Sequence, residues 1–159
     1  MPPRIFKLED GLIPKELVRF GLDHIAGGFK LFQDPFHFDS AGYLVHIGYE
    51  CLLKGWVLEL TGQFEGVHDI GILIKKIPDL SPQNLPPDFI DVITLIDGYG
   101  HLRYPNNKDP KEVGTEEMSL IKEFVDFTVS LLPDELCTTN DDTHVFKGGR
   151  ILMKKKIVT

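Results

Sequence analysis

Three short stretches carry residues with chemistry to offer. In YECLLKGW, Glu50 and Lys54 stand four apart with the acid on the N-terminal side, the order that favours an ion pair along a helix. Two readings follow: the pair is a salt bridge, or Lys54 holds an anion that Glu50 orients. His46 has the same spacing before Glu50, which is the spacing of paired helical metal ligands, but no third ligand is specified and no metal is expected. His68-Asp69 follows a glycine-containing break and opens a helix, where a carboxylate complements the positive helix end or helps to build a site. The third stretch is Arg103-Tyr104-Pro105, followed by Asn106, Asn107 and Lys108. Arginine presents a planar fork of donors suited to phosphate or carboxylate, and a tyrosine ring stacks on a base. The alternative for Arg103 is to cap the carbonyls at the end of the preceding helix. The candidate ligand-binding residues are therefore Glu50, Lys54, His68, Asp69, Arg103 and Tyr104. No GxSxG, CxxC or P-loop pattern is found, so no catalytic residue is assigned and no cofactor is expected.

These residues hang on a central helix. AGYLVHIGYECLLKGWVLELTG, residues 41–62, is nearly continuously apolar and free of proline. One stripe holds Ala41, Leu44, Gly48, Cys51, Gly55 and Leu58, whose small members invite close approach of another backbone. A second holds His46, Tyr49, Leu53, Trp56 and Leu60; the third is Tyr43, Ile47, Glu50, Lys54 and Val57. A helix apolar on nearly every side belongs inside a bundle or between subunits. Asp39 or Ser40 is expected to cap it.

A first helix is expected over about residues 14–33, with Pro14 in its first turn and a bend or close crossing at Gly27-Gly28. Shorter helices follow at about 67–77 and from Pro87 or Asp88 to Tyr99, separated by a proline-rich loop. Thr115 caps a last helix that ends before Pro133. Residues 1–12 read as an irregular leader. THVFKGGRILMKKKIVT alternates β-formers about Gly148-Gly149 and reads as a small hairpin over about 143–159, with Lys154–Lys156 as a solvated edge. The expected fold is all-α: one domain, residues 1–159, an antiparallel bundle of about five helices with a C-terminal β-hairpin appendage.

At 159 residues the chain has length for one well-built core, and a net charge of -7 gives no general support for RNA or for an anionic membrane surface. The central helix, interrupted by His46, Glu50 and Lys54, is not a membrane span. Two isolated cysteines and an N-terminus without a basic-then-apolar run point to the cytoplasm.

Taken in order, YECLLKGWVLELTG, GVHDIGILI and LIDGYGHLRYPNN before a final amphipathic helix resemble the HEPN superfamily (higher eukaryotes and prokaryotes nucleotide-binding) over about residues 14–132. Glu50 and Lys54 match that family's acid and lysine on the central helix, His68-Asp69 its His-Asp pair, and Arg103 the arginine after its penultimate long helix. The resemblance implies a bundle that homodimerises with its arginine loops together, and a nucleotidyltransferase or other toxin–antitoxin component as protein partner. In the ribonuclease branch a histidine follows the arginine after four to six residues and cleavage needs no metal. Here those positions hold Lys108, Asp109, Pro110 and Lys111, and no histidine occurs between His101 and His144. The leading expectation is a non-catalytic HEPN-like dimer that binds a nucleotide or phosphate-type ligand or a protein partner. The alternatives are a metal-independent ribonuclease with an atypical site using Arg103, His101 or His68, and a purely structural interaction module.

Overall fold

A computed structural model describes residues 2–34, 37–104 and 108–137. Among them are five α-helices: α1 (Pro14–Phe32), α2 (Phe38–Thr61), α3 (Ile70–Ile74), α4 (Pro87–Tyr99) and α5 (Thr115–Leu131). The helical bundle is as the apolar periodicity requires. None of these helices is long and apolar enough to cross a membrane.

The small residues explain how α1 and α2 pair. Pro14, Gly21 and Gly28 recur at intervals of seven on α1, as do Ala41, Gly48 and Gly55 on α2. The two series meet in reverse order, so the helices run antiparallel: Gly55 lies on Pro14, Gly48 on Gly21 and Gly28 on Ala41. A Cβ placed on Gly48 would come within 2.5 Å of the Gly21 carbonyl oxygen, so at this crossing backbone lies directly on backbone. A seven-residue repeat keeps one seam facing its partner over several turns. Of the two readings of Gly27-Gly28, a bend or a close crossing, Gly28 makes the close crossing, and α1 runs unbroken from Pro14 to Phe32.

The other faces of α2 make the core. Tyr49, Leu52, Leu53 and Trp56 are buried, as are Phe124 and Val125 of α5. The Tyr49 and Phe124 rings lie 5.2 Å apart, and Phe89 of α4 packs on both Phe124 and Phe127 at 5.3 Å. Each such side chain withdrawn from water contributes roughly 1.5–3 kcal/mol before conformational entropy is subtracted. Tyr49 also carries a hydroxyl into the core. It finds Thr128 Oγ1 at 2.9 Å, and because Thr128 donates to the Phe124 carbonyl, Tyr49 is the donor of the pair.

Four local features differ from the sequence reading. The leader is not irregular: its β1 (Ile5–Lys7) pairs antiparallel with β2 (Gln63–Glu65), and Phe6 stacks on Phe64 at 5.1 Å. This short sheet forms because Gly62, at φ 84°, stops α2 and turns the chain back along the leader. Secondly, α2 begins at Phe38, so Asp39 and Ser40 lie inside its first turn and His37 occupies the cap position without a side-chain bond. Thirdly, α3 is shorter than expected, since Val67 turns back to Glu65 and Asp69 caps the helix by accepting from Ile72 N at 3.0 Å. Finally, Thr115 is the first residue of α5 and the extended Gly114 precedes it as the cap. The expected hairpin at 143–159 lies outside the described residues.

Candidate functional site

Tyr43, His46, Ile47 and Glu50 recur at helical spacing along α2 and form the floor of a cavity of about 570 Å³. Its walls come from His68 and Asp69 before α3, from Asp97 on α4, and from the 3₁₀ turn Gly100–Arg103 with Tyr104 after it. A volume of this size lies in the range of small-molecule sites. Five of the six candidate residues, Glu50, His68, Asp69, Arg103 and Tyr104, line this one cavity.

Lys54 is the sixth, and the structure places it behind the floor. Its ammonium donates to Glu50 Oε2 at 2.8 Å and lies 5.7 Å from the Phe64 ring centroid. Both partners are largely buried, with Lys54 13% and Glu50 12% exposed. Lys54 therefore fixes and neutralises Glu50 rather than reaching into the cavity.

Glu50 is the electrostatic hub. Its Oε1 accepts from His68 Nδ1 at 3.0 Å and stands 3.5 Å from His46 Nε2, while Oε2 takes the lysine. Burial alone would push this carboxyl up. Hydrogen bonds from His46, Lys54 and His68, with the lysine charge, outweigh burial and hold it at about 2. Glu50 is an anion at any physiological pH.

Each histidine has a different task. His46 is buried, and its Nδ1–H donates to the Ile96 carbonyl at 2.9 Å, which joins α2 to α4. Gly100 lies against the same ring, where a Cβ would come within 2.7 Å of Cε1. Only glycine permits this contact, and it sets where the Arg103 turn leaves α4. His68 is exposed; its Nδ1–H donates to Glu50, and its Nε2 has no partner among the described residues. His101 lies on the 3₁₀ turn and lines the cavity.

Two further contacts hold that turn. Leu102 packs over Gly42, and the Tyr99 hydroxyl donates to the Glu112 carbonyl at 2.6 Å, fastening the returning chain. Arg103 is exposed and sends Nε and Nη2 to the Tyr43 hydroxyl at 3.0 and 2.9 Å. Among the described residues it does not cap helix-end carbonyls. The guanidinium also bonds the side chain of Tyr104, which is 73% exposed, and its remaining N–H donors suit an anion.

Two acids line the same cavity. Asp69 Oδ1 accepts from Ile72 N, and Asp97 Oδ1 accepts from Ile70 N at 2.9 Å, so both secure the start of α3. Sequence reasoning missed Asp97, Tyr43 and Gly100. An acid interrupting the apolar run of FIDVITLIDGY was the available signal for Asp97, whereas the role of Gly100 depends on a contact with His46, 54 positions earlier, that no spacing rule encodes. Among the described residues no group of three or more His, Cys, Asp or Glu side chains is placed to hold a metal.

Comparison of the chain with protein-family models, curated proteins and solved structures finds no match. The chemistry of the cavity must speak for its function.

Proposed function

We propose that this is a binding domain of HEPN type whose cavity takes a phosphate-bearing, nucleotide-like ligand. The observation that supports it most is the Arg103–Tyr43 pair: a guanidinium steered by a phenol through two of its donors, with its outer donors at the mouth of a cavity of about 570 Å³. Tyr104 and Tyr43 supply aromatic faces for a base, and Glu50, neutralised from behind by Lys54, fixes His68 at the rim. The family resemblance adds homodimerisation to this reading, with two Arg103 turns facing one another, and sedimentation of the purified chain checks that part separately.

A thermal-shift panel of nucleoside mono-, di- and triphosphates tests the binding. The reading expects stabilisation by at least one nucleotide, and loss of that stabilisation in Arg103→Ala, whose own melting temperature stays close to the parent's. A flat response across the panel contradicts it.

The Glu50–His68 pair favours a second reading, metal-independent RNA cleavage. A carboxylate that orients Nδ1–H leaves Nε2 as a base. In this reading Nε2 takes the proton of a ribose 2′-hydroxyl, the 2′-oxygen attacks phosphorus, and the 5′-oxygen leaves with a proton from His101. The products are a 2′,3′-cyclic phosphate and a 5′-hydroxyl, while Arg103 stabilises the charge on phosphorus. Cleavage of labelled RNA in EDTA that disappears in both His68→Ala and Arg103→Ala supports this reading; activity unchanged in the variants belongs to a contaminant.

A further inference from the structure

The fixed charges that line the cavity do not balance. Arg103 is the one lysine or arginine among the lining residues, and Lys54 is spent on Glu50 behind the floor. Asp69 and Asp97 line the cavity too, and no lysine or arginine pairs with either among the described residues. Each gives one carboxylate oxygen to a backbone N–H at the start of α3, to Ile72 and Ile70 respectively. The second oxygen of each has no partner among the described residues. Counting only the Asp, Glu, Lys and Arg side chains of the site, and with the Glu50–Lys54 pair cancelling, one positive charge shares the cavity with two negative ones.

Such a cavity accommodates one anionic group at Arg103. A second or third phosphate reaching toward the aspartates meets like charge in a partly desolvated space, where repulsion is stronger than in water. The same two oxygens accept hydrogen bonds and so match donors such as ribose hydroxyls or an exocyclic amine. Carboxylate recognition of a ribose hydroxyl is an established use of this chemistry.

Building on the proposed nucleotide-binding reading, we infer that the cavity is selective for ligands carrying a single phosphate, with the remainder of the ligand offering donors to Asp69 and Asp97, and that these two residues exclude polyphosphates. Asp69 and Asp97 act here as specificity residues, additional to their part in fixing α3.

Asparagine isolates the two roles, since its side-chain oxygen still accepts from the backbone N–H while the charge is gone. The experiment is isothermal titration of AMP and of ATP at fixed ionic strength with EDTA present, so that no divalent ion masks the extra charges. The proteins are the parent, Asp97→Asn and Asp69→Asn, each first checked for an unchanged thermal midpoint. AMP carries about two negative charges and ATP about two more, so a preference for AMP of about 10-fold is expected in the parent. In either variant the preference narrows to within about 3-fold, mainly because ATP binds better. Equal affinities in the parent, or a ratio that neither substitution changes, overturn the selectivity while leaving nucleotide binding in place. If neither nucleotide binds the parent, the underlying reading falls and the selectivity falls with it.

Discussion

Glu50 and His68 are joined at 3.0 Å although one is 12% and the other 73% exposed. The bond links an ion pair inside the bundle to the rim of the cavity. Lys54 holds the other oxygen of the same carboxylate at 2.8 Å, so the position of His68 is set by an ion pair whose lysine lies outside the cavity lining. The site is thus built outward from the central helix, with the buried charge first and the exposed imidazole resting on it.

This arrangement predicts acid sensitivity. The Glu50 carboxyl lies at about 2 when folded against an ordinary 4.5, so it ionises more readily in the folded state. Its contribution is complete above pH 4.5 and is lost as pH falls toward 2. After allowance for solvent screening it amounts to about 2 kcal/mol. Chemical denaturation between pH 7 and pH 3 should show Glu50→Gln weaker than the parent at neutral pH, with the gap shrinking in acid. A gap independent of pH would show that the charge is not the source of the difference.

The helix crossing predicts opposite effects for two glycines on similar backbone. A Cβ at Gly48 meets the Gly21 oxygen at 2.5 Å and Ile25 N at 2.8 Å, whereas one at Gly27 meets nothing within 4 Å. Gly48→Ala should destabilise by about 3 kcal/mol, because backbone must part to admit the methyl group. Gly27→Ala should stabilise by about 0.5–1 kcal/mol through helix propensity. Urea melts of the two variants decide this.

The buried pair Tyr49–Thr128 predicts non-additivity. Thr128→Val removes the acceptor and leaves the Tyr49 hydroxyl buried without a partner, which costs about 1–3 kcal/mol. Adding Tyr49→Phe removes the orphaned group and should recover part of the loss. A double variant as unstable as the sum of the singles would contradict the pairing.

Much of this architecture was legible from periodicity. The unbroken apolar run of α2 demanded burial on all sides, and the stripe holding Gly48 and Gly55 announced a close partner, which is α1. The same reasoning kept Tyr43, Ile47 and Glu50 on one stripe, and that stripe is part of the cavity floor. What periodicity could not convey was long-range contact. Phe6 finding Phe64 across the β1–β2 pair, and His46 settling on Gly100, depend on how distant segments pack. Lys54 shows the remaining limit: its spacing from Glu50 is right for a bond, but whether it faces a ligand or the protein is fixed only by what lies on either side.

Gly100 gives a test of how the Arg103 turn is placed. Gly100→Ala would press a methyl group on the His46 ring, at 2.7 Å from Cε1, and displace either the ring or the turn. Nucleotide affinity should fall at least about 10-fold, a loss of some 1.4 kcal/mol, even where the melting temperature is little changed. Unaltered affinity would mean that the turn is positioned without this contact.

The most direct measurement is NMR of the arginine Nε–Hε groups during titration with AMP. Arg103 should show a saturable displacement of its Hε resonance, because its guanidinium meets the phosphate while Tyr43 holds it, whereas Arg19, engaged with Glu16 on α1 at 2.8 Å, should stay in place. The same titration of Tyr43→Phe should saturate at higher nucleotide concentration. An Arg103 signal that does not move, or that moves only as Arg19 does, would contradict a phosphate site in this cavity.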